Sequence, residues 1–468
     1  MHGRLILPAL RWRDDTGFGH EAENISAALR FGAGGFIIFG GEREAVRHLT
    51  EDLRNIAGRP LLFASDLERG AGQQFPGLTE FPPPGALAAL NDPAVIREAA
   101  STTAREALEL GINWVMAPDA DLDVEPANPI VQTRSFGADP AAVSSAVAAW
   151  VTACQGAGAL ACVKHFPGHG RTTRDSHDEV PLVDASADTL EATDLAPFRA
   201  GIGAGVATVM TGHLRVPALD PSGTPATFSV PILRYLRDTL GFRGLIVTDA
   251  LMMGAAVRDA ASNPAVRALA AGCDLLCYPA DPQAAYDAIA DAMAAGALPE
   301  ARVEEALVRY GEALRGAGLG GGGAAGQVGK SAVIADRLLA QGLLRGADVR
   351  LTTPIELIVV DDDQGGAWPA SSTSYVERAL RDAGVPLGVG GSRVVLAFAE
   401  PRASKGRAGF GPGSLEALGR SAGAGAVIVF GHPRLAAEVP GSAPLLLAWH
   451  RQRLMQEAAA RWVVERMR

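Results

Sequence analysis

Along roughly the first 315 residues, short runs of apolar, β-prone residues alternate with Ala-rich segments whose apolar positions recur at helical spacing. Strands are predicted at 5–10, 35–39, 61–64, 114–117, 159–164, 207–211, 245–248 and 274–278, with helices at 93–110, 141–157, 190–204, 231–240 and 264–271. Such alternation builds parallel sheets, because each strand returns to its neighbour through a crossover helix. Eight strands with helices between them fit a (β/α)8 TIM barrel better than an open sheet. The Gly/Ala stretch 316–330 cannot build a core and reads as a linker. Beyond it, strands at 355–360, 393–398, 426–430 and 444–449 alternate with helices from 331, at 375–383, at 414–421 and from 452. The expected fold class is therefore α/β, a barrel over 1–315 followed by a smaller α/β sandwich domain over 331–468.

In barrels of this kind the chemistry sits at the C-terminal ends of the strands. Five of the eight predicted strands end on charged or imidazole side chains: Asp66, then Asp119 and Asp121, then Lys164 and His165, then His213, then Asp249. One polar residue at a strand end is ordinarily a cap or turn residue. Five such ends point to a site.

Composition narrows the partners. With 42 basic against 52 acidic residues and a net charge of −10, the surface as a whole is unsuited to nucleic acid or an anionic membrane. Only three of the basic residues are lysines, Lys164, Lys330 and Lys405, in a chain that otherwise uses Arg. A Lys in such a chain suggests a place where a compact ammonium is needed and a planar fork is not. The four cysteines, Cys154, Cys162, Cys273 and Cys277, form no C-x-x-C pair and sit in apolar runs, so they read as buried reduced thiols. The apolar stretch near the N-terminus is too short for a signal peptide and no run is long enough for a membrane span. A cytoplasmic protein is expected.

Two nucleotide-like patterns fail on context. Residues 324–331, ending in Gly-Lys-Ser, satisfy a relaxed phosphate-loop spacing, but they follow a helix and a glycine linker instead of a strand. Gly201, Gly203 and Gly205 close a predicted helix where a dinucleotide fingerprint would open one.

Three of the nine histidines, His165, His169 and His177, fall within thirteen residues, in Lys164-His-Phe-Pro-Gly-His-Gly-Arg-Thr-Thr-Arg-Asp-Ser-His177. A connection this long after a barrel strand tends to be functional. One reading is a metal site built from His165, His169, Asp175 and His177, although Phe166-Pro167-Gly168 forbids the helix that would align the first two. The other is acid/base chemistry. Asp175 and His177 would form a carboxylate–imidazole dyad, with Asp249 placed by a rigid strand as nucleophile.

These stretches, together with MTGHLRVPALDP, PATFS, LGFRGLIVTDALMMGA and Ala117-Pro-Asp-Ala-Asp121, resemble the bacterial β-N-acetylglucosaminidases of glycoside hydrolase family 3 over roughly residues 1–315. The resemblance implies an exo-acting, retaining β-N-acetylhexosaminidase, with a peptidoglycan-derived GlcNAc-containing glycoside as substrate. Asp249 would form the covalent glycosyl-enzyme, and His177, oriented by Asp175, would act as acid and then base. Sugar binding would fall to Asp66, Arg134, Lys164, His165, Asp121 and His213. No cofactor and no metal are implied. Gln74 stands where the family usually has Arg, which bears on sugar identity more than on reaction type. A β-glucosidase or phosphorylase of the same family, and a non-catalytic sugar-binding barrel, are the alternatives.

Overall fold

In the computed structural model, which describes residues 1–174, 180–254, 263–318, 328–363, 370–400, 405 and 407–467, Pro8 divides the first predicted strand into Ile6–Leu7 (β1) and Ala9–Arg11 (β2). Proline donates no ladder hydrogen bond, yet its carbonyl still accepts from Ile37 N at 2.9 Å, so the strand direction is kept. Gly35–Phe39 (β3), Leu62–Ser65 (β4), Trp114–Val115 (β5), Leu160–Phe166 (β6), Thr208–Thr211 (β7), Leu245–Thr248 (β8) and Leu276–Cys277 (β9) follow. Strands β2 to β8 form a seven-stranded sheet in chain order, with every neighbouring pair parallel. β1 pairs in parallel with β9, and Val247 of β8 bridges Leu275 just before β9.

Every residue of β4 and β6 is buried, as in a parallel sheet covered on both faces. The polar groups inside it are paired. Asn113 accepts from Phe63 N at 2.9 Å and donates to Leu61 O at 3.1 Å, while Trp114 Nε1 donates to Thr208 Oγ1 at 2.9 Å. β3 and β4 approach closely at Gly35, where a Cβ would lie 1.7 Å from Leu62 O. Covering helices start on a repeated signal, an Asp or Asn N-cap followed by Pro. Asp139, Asn263 and Asp281 each accept a backbone N–H of the first turn, opening Pro140–Gly156, Pro264–Ala271 and Pro282–Ala294.

The predicted helix 190–204 is two helices, Ala187–Ala192 and Ala196–Gly203. The break buries Asp194, which pairs with Arg171 Nε at 2.8 Å. Residues 231–240 begin as the helix Val230–Arg234 and continue as a widened turn over Tyr235–Thr239. All four cysteines are buried and free, and burial pushes the Cys154, Cys162 and Cys273 thiols up to about 12, far from thiolate chemistry. Among the described residues, no helix is long and apolar enough to cross a membrane.

The chain divides into two compact units, Met1–Thr79 with Pro93–Val124 and Ser135–Gly326, and Glu80–Asp92 with Glu125–Arg134 and Gln327–Arg468. Two short stretches from the first 315 residues thus belong with the C-terminal unit. One is fixed by Gln452 Nε2, which donates to Phe81 O at 2.8 Å.

That unit holds a mixed five-stranded sheet of Leu343–Arg345 (β10), Ile355–Asp361 (β11), Ser392–Ala399 (β12), Ala426–Gly431 (β13) and Leu445–Leu447 (β14), in the order β10-β14-β13-β12-β11. Only β10 is antiparallel, an edge strand the periodicity does not reveal because three residues carry no alternation. The helices Val328–Gln341 and Tyr375–Asp382 pack on the last helix, Arg453–Glu465. Lys330 and Ser331 of the phosphate-loop-like pattern lie inside the first of these; 324–327 lie outside the described residues.

At the C-terminal ends of β11 and β14, the buried Arg451 holds Asp361 at 3.0 Å and Asp363 at 2.7 Å, and Lys405 meets Asp362 and Asp363 at 2.9 and 3.0 Å. Removing one member of such a pair strands a buried charge, so Arg451→Met should lower stability by ~3–5 kcal/mol in chemical denaturation of the full chain.

Candidate active site

Lys164 and His165 close β6, where the pairing register to β7 shifts between Val163 and Phe166 and the Lys164–His165 peptide bond is cis. The Lys164 side chain is buried and its Nζ meets Asp66 Oδ1 and Glu68 Oε1, each at 2.8 Å. One ammonium with three donors thus serves two carboxylates from the β4 exit, a compact arrangement that a planar guanidinium would not reproduce.

The next turn is organised by Asp121. Its carboxylate, fully buried, accepts from His165 Nδ1 at 2.8 Å, from His165 N at 3.3 Å and from His169 N at 2.6 Å. Because a carboxylate only accepts, His165 Nδ1 carries the proton. Asp121 N in turn donates to Asp119 Oδ1 at 2.9 Å, and Ala120 N to Lys164 O at 2.7 Å, which ties the β5 and β6 exits together. Gly170 permits the close approach of these two loops, since a Cβ there would lie 1.9 Å from Leu122 O. Burial alone would raise the Asp121 pKa. The hydrogen bond and charge of His165, with the charge and backbone N–H of His169, outweigh it and hold the carboxyl well below its usual range.

Asp119, Asp121 and His165 bring one potential ligand atom each within 4.8 Å of one another. The Asp121 oxygens and His165 Nδ1 are spent on each other, however, so an ion would have to displace an intact hydrogen-bond set. His169 Nδ1 lies 2.6 Å from Thr172 Oγ1.

Asp249 follows β8. Its N donates to Thr211 O at 3.1 Å, and its Oδ1 accepts from Ala250 N at 2.7 Å. The partly exposed carboxylate faces inward electrostatically: its charge acts on His169, and together with Asp66 and Lys164 it acts on the buried Cys277 thiol. His213, fully buried, directs Nε2 to Ala250 O at 3.1 Å and Nδ1 to Thr227 Oγ1 at 2.8 Å. A carbonyl accepts only, so the proton sits on Nε2, and His213 fixes the chain next to Asp249. Gln74 accepts from Gly40 N at 3.1 Å and donates to Asp66 O at 3.4 Å.

Of the residues singled out by sequence, Asp66, Gln74, Asp121, Lys164 and His165 form one bonded group, while Asp249 and His213 lie on adjoining strand exits. Arg134 belongs to the second unit, in the turn Gln132–Arg134, where its N donates to Val131 O at 2.8 Å. Asp175 and His177 lie outside the described residues. Glu68 escaped the sequence reading, although a rare, buried Lys asks for more than one carboxylate and Glu68 stands two residues from Asp66. Thr227 also escaped it, within the PATFS stretch.

Residues 20–312 match the model of the glycosyl hydrolase family 3 N-terminal domain. The chain belongs to glycosyl hydrolase family 3. A β-N-acetylglucosaminidase/β-glucosidase of Cellulomonas fimi is 36% identical over 268 residues, covering 55% of this chain and 48% of that protein. A β-hexosaminidase of Alkalilimnicola ehrlichii is 37% identical over 293 residues, covering 60% of this chain and 82% of its own length. Among solved structures, a family 3 β-N-acetylglucosaminidase from a Paenibacillus species superposes with a TM-score of 0.84 at 27% identity, over 100% of this chain and 96% of the other. The family resemblance read from the loop and strand-end motifs therefore holds.

The His169 imidazole gives a pH signature. Burial lowers its pKa to about 4 from 6.5, against the opposing charge of Asp121. Between these values the unfolded chain binds a proton that the folded chain refuses, so stability is full above 6.5 and falls as pH drops toward 4, by about 3 kcal/mol. Thermal unfolding followed across that window should show the decline in the wild type and a flatter profile in His169→Gln.

Proposed function

We propose that this family 3 protein is a retaining exo-β-N-acetylglucosaminidase that removes terminal β-linked GlcNAc, with cytoplasmic peptidoglycan-derived fragments as its substrate and no cofactor. The observation that carries the reading is Asp249 at the exit of β8, held by Thr211 O and flanked through Ala250 by His213, with the Lys164–Asp66–Glu68 group on the exits of β4 and β6. The names of the relatives support the sugar.

Under this reading the parallel series closes through β9 into a (β/α)8 barrel over 1–315. The β1–β9 pair and the Val247–Leu275 bridge support that closure. An Asp249 oxygen attacks the anomeric carbon as the glycosidic C–O bond breaks, and the leaving oxygen takes a proton from His177. This leaves a glycosyl ester on Asp249. Water then gives a proton back to His177 and attacks the same carbon, freeing Asp249 and retaining configuration. Asp175 sets the His177 tautomer. Asp66, Lys164 and His165 bind hydroxyls of the sugar. Asp121 acts through His165, and His213 through the strand end that bears Asp249.

Asp249→Ala should lower kcat/KM on an aryl β-GlcNAc by about 10⁴-fold or more; unchanged turnover refutes the proposal. Faster turnover of an aryl β-glucoside, or turnover that requires phosphate, would move the protein to the β-glucosidase or phosphorylase reading. Affinity without turnover of any aryl glycoside would make it a binding protein.

For His177→Ala, the expected loss is about 10²–10⁴-fold on glycosides with poor leaving groups and much smaller on activated aryl glycosides, which need little protonation. Equal losses on both would remove His177 from the acid/base role.

A further inference from the structure

At the N-terminal ends of β8 and β9, the opposite strand ends from Asp66, Lys164 and Asp249, lies a cavity of about 350 Å³ lined by Arg234, Arg237, Arg243, Arg302 and Arg309. Its floor is preorganised. Asp274, fully buried just before β9, accepts from Arg237 NH2, from Arg302 NH2 at 2.6 Å and from Arg309 NH1 at 3.0 Å. Arg237 NH1 also donates to Gly244 O at 2.7 Å, and Arg302 Nε to Leu269 O at 3.1 Å, so these forks cannot swing away. Glu305 takes the remaining bridges of Arg302 and Arg309.

Three guanidiniums on two carboxylates leave an excess positive charge at the floor. Burial lowers the Arg237 pKa to about 10, a shift that Asp274 opposes and the neighbouring Arg309 and Arg302 deepen, so the group remains cationic at neutral pH. The clamp on Asp274, with the bonds of Arg237 and Arg302 to backbone carbonyls, explains Arg237, Arg302 and Arg309. They do not explain Arg234 and Arg243, which are exposed at the mouth and line the same cavity beside Asp238. Five guanidiniums against Asp238, Asp274 and Glu305 make this a concave, net-positive site on a protein whose overall charge is −10.

We infer that this cavity binds a phosphate-bearing small anion, with Arg234 and Arg243 supplying forked hydrogen bonds to the phosphate oxygens over the fixed positive floor. The volume suits a ligand larger than a single phosphate, such as a diphosphate or a phosphorylated metabolite, within the range of small-molecule pockets.

The test is calorimetric titration of the full chain with inorganic pyrophosphate, comparing the wild type with the Arg234→Ala/Arg243→Ala double variant. Because both side chains are exposed, the variant should unfold at the wild-type temperature. The expected result is saturable binding to the wild type that weakens at least about tenfold in the variant. No saturable binding, or equal affinity in both proteins, overturns the inference. So does binding of anionic vesicles or RNA without binding of pyrophosphate, since that marks a general basic patch. Arg234→Lys/Arg243→Lys provides a second check: it keeps the charge and removes both forks, so pyrophosphate affinity should fall by at least about threefold, and wild-type affinity overturns the forked recognition.

Discussion

A single buried carboxylate sets the path of the chain at the centre of this site. Asp121 has no access to water, so every hydrogen bond it accepts must come from protein. The imidazole of His165 and the backbone N–H groups of His165 and His169 supply them. Those contacts decide where the segment after β6 runs. They also fix the His165 tautomer and, through Asp119 and Ala120, bind the β5 exit to the β6 exit. Lys164, one residue earlier, then lies between Asp66 and Glu68, which brings the β4 exit into the same group. A buried ammonium with two carboxylates is stable only as a set, since each member compensates the desolvation of the others.

The two ends of the parallel strands solve the same electrostatic problem with different cations. At the C-terminal ends a Lys meets two acids within a small space, and imidazoles fill the remaining donor positions. At the N-terminal ends of β8 and β9, arginine forks reach past Asp274 to backbone carbonyls at Gly244, Leu269 and Cys273. Arg fits where several acceptors lie in a plane, and Lys where acceptors converge on a point. The presence of a Lys at position 164, in a sequence that otherwise uses Arg, therefore has a local physical cause. Lys405, between Asp362 and Asp363, repeats it in the second unit.

Much of this was legible from the chain. Strand ends bearing Asp66, Asp121, Lys164, His165 and Asp249 marked the candidate site, because parallel strands are largely apolar until they leave the sheet and a polar residue there marks the exit. The Asp-Pro and Asn-Pro pairs found at three helix starts are local signals of the same kind. What stayed hidden depends on partners distant in sequence. The division of β1 from β2 follows from Pro8, which periodicity reads through. The break at Asp194 exists to meet Arg171, and Glu68 has its role only because Lys164 needs a second acceptor. The grouping of Glu80–Asp92 and Glu125–Arg134 with the C-terminal unit likewise rests on contacts such as Gln452 to Phe81, which no local pattern encodes.

Gln74 shows how a neutral side chain can join two strand exits. Its Oε1 accepts from Gly40 N while its amide nitrogen donates to Asp66 O, so it stitches the β3 exit to the β4 exit. A guanidinium has no acceptor and could not take the Gly40 N–H. Gln carries no charge, so this position adds none to the group that Lys164 makes with Asp66 and Glu68. Under the glycosidase reading this has a direct consequence. An oxocarbenium-like transition state gathers positive charge on the sugar ring, and a surrounding that is net negative and already organised stabilises that charge without rearrangement. A neutral Gln here gives up a forked donor to a sugar hydroxyl and places no repelling charge beside that ring, so the change bears on ground-state binding of the sugar and on the bond-breaking step alike.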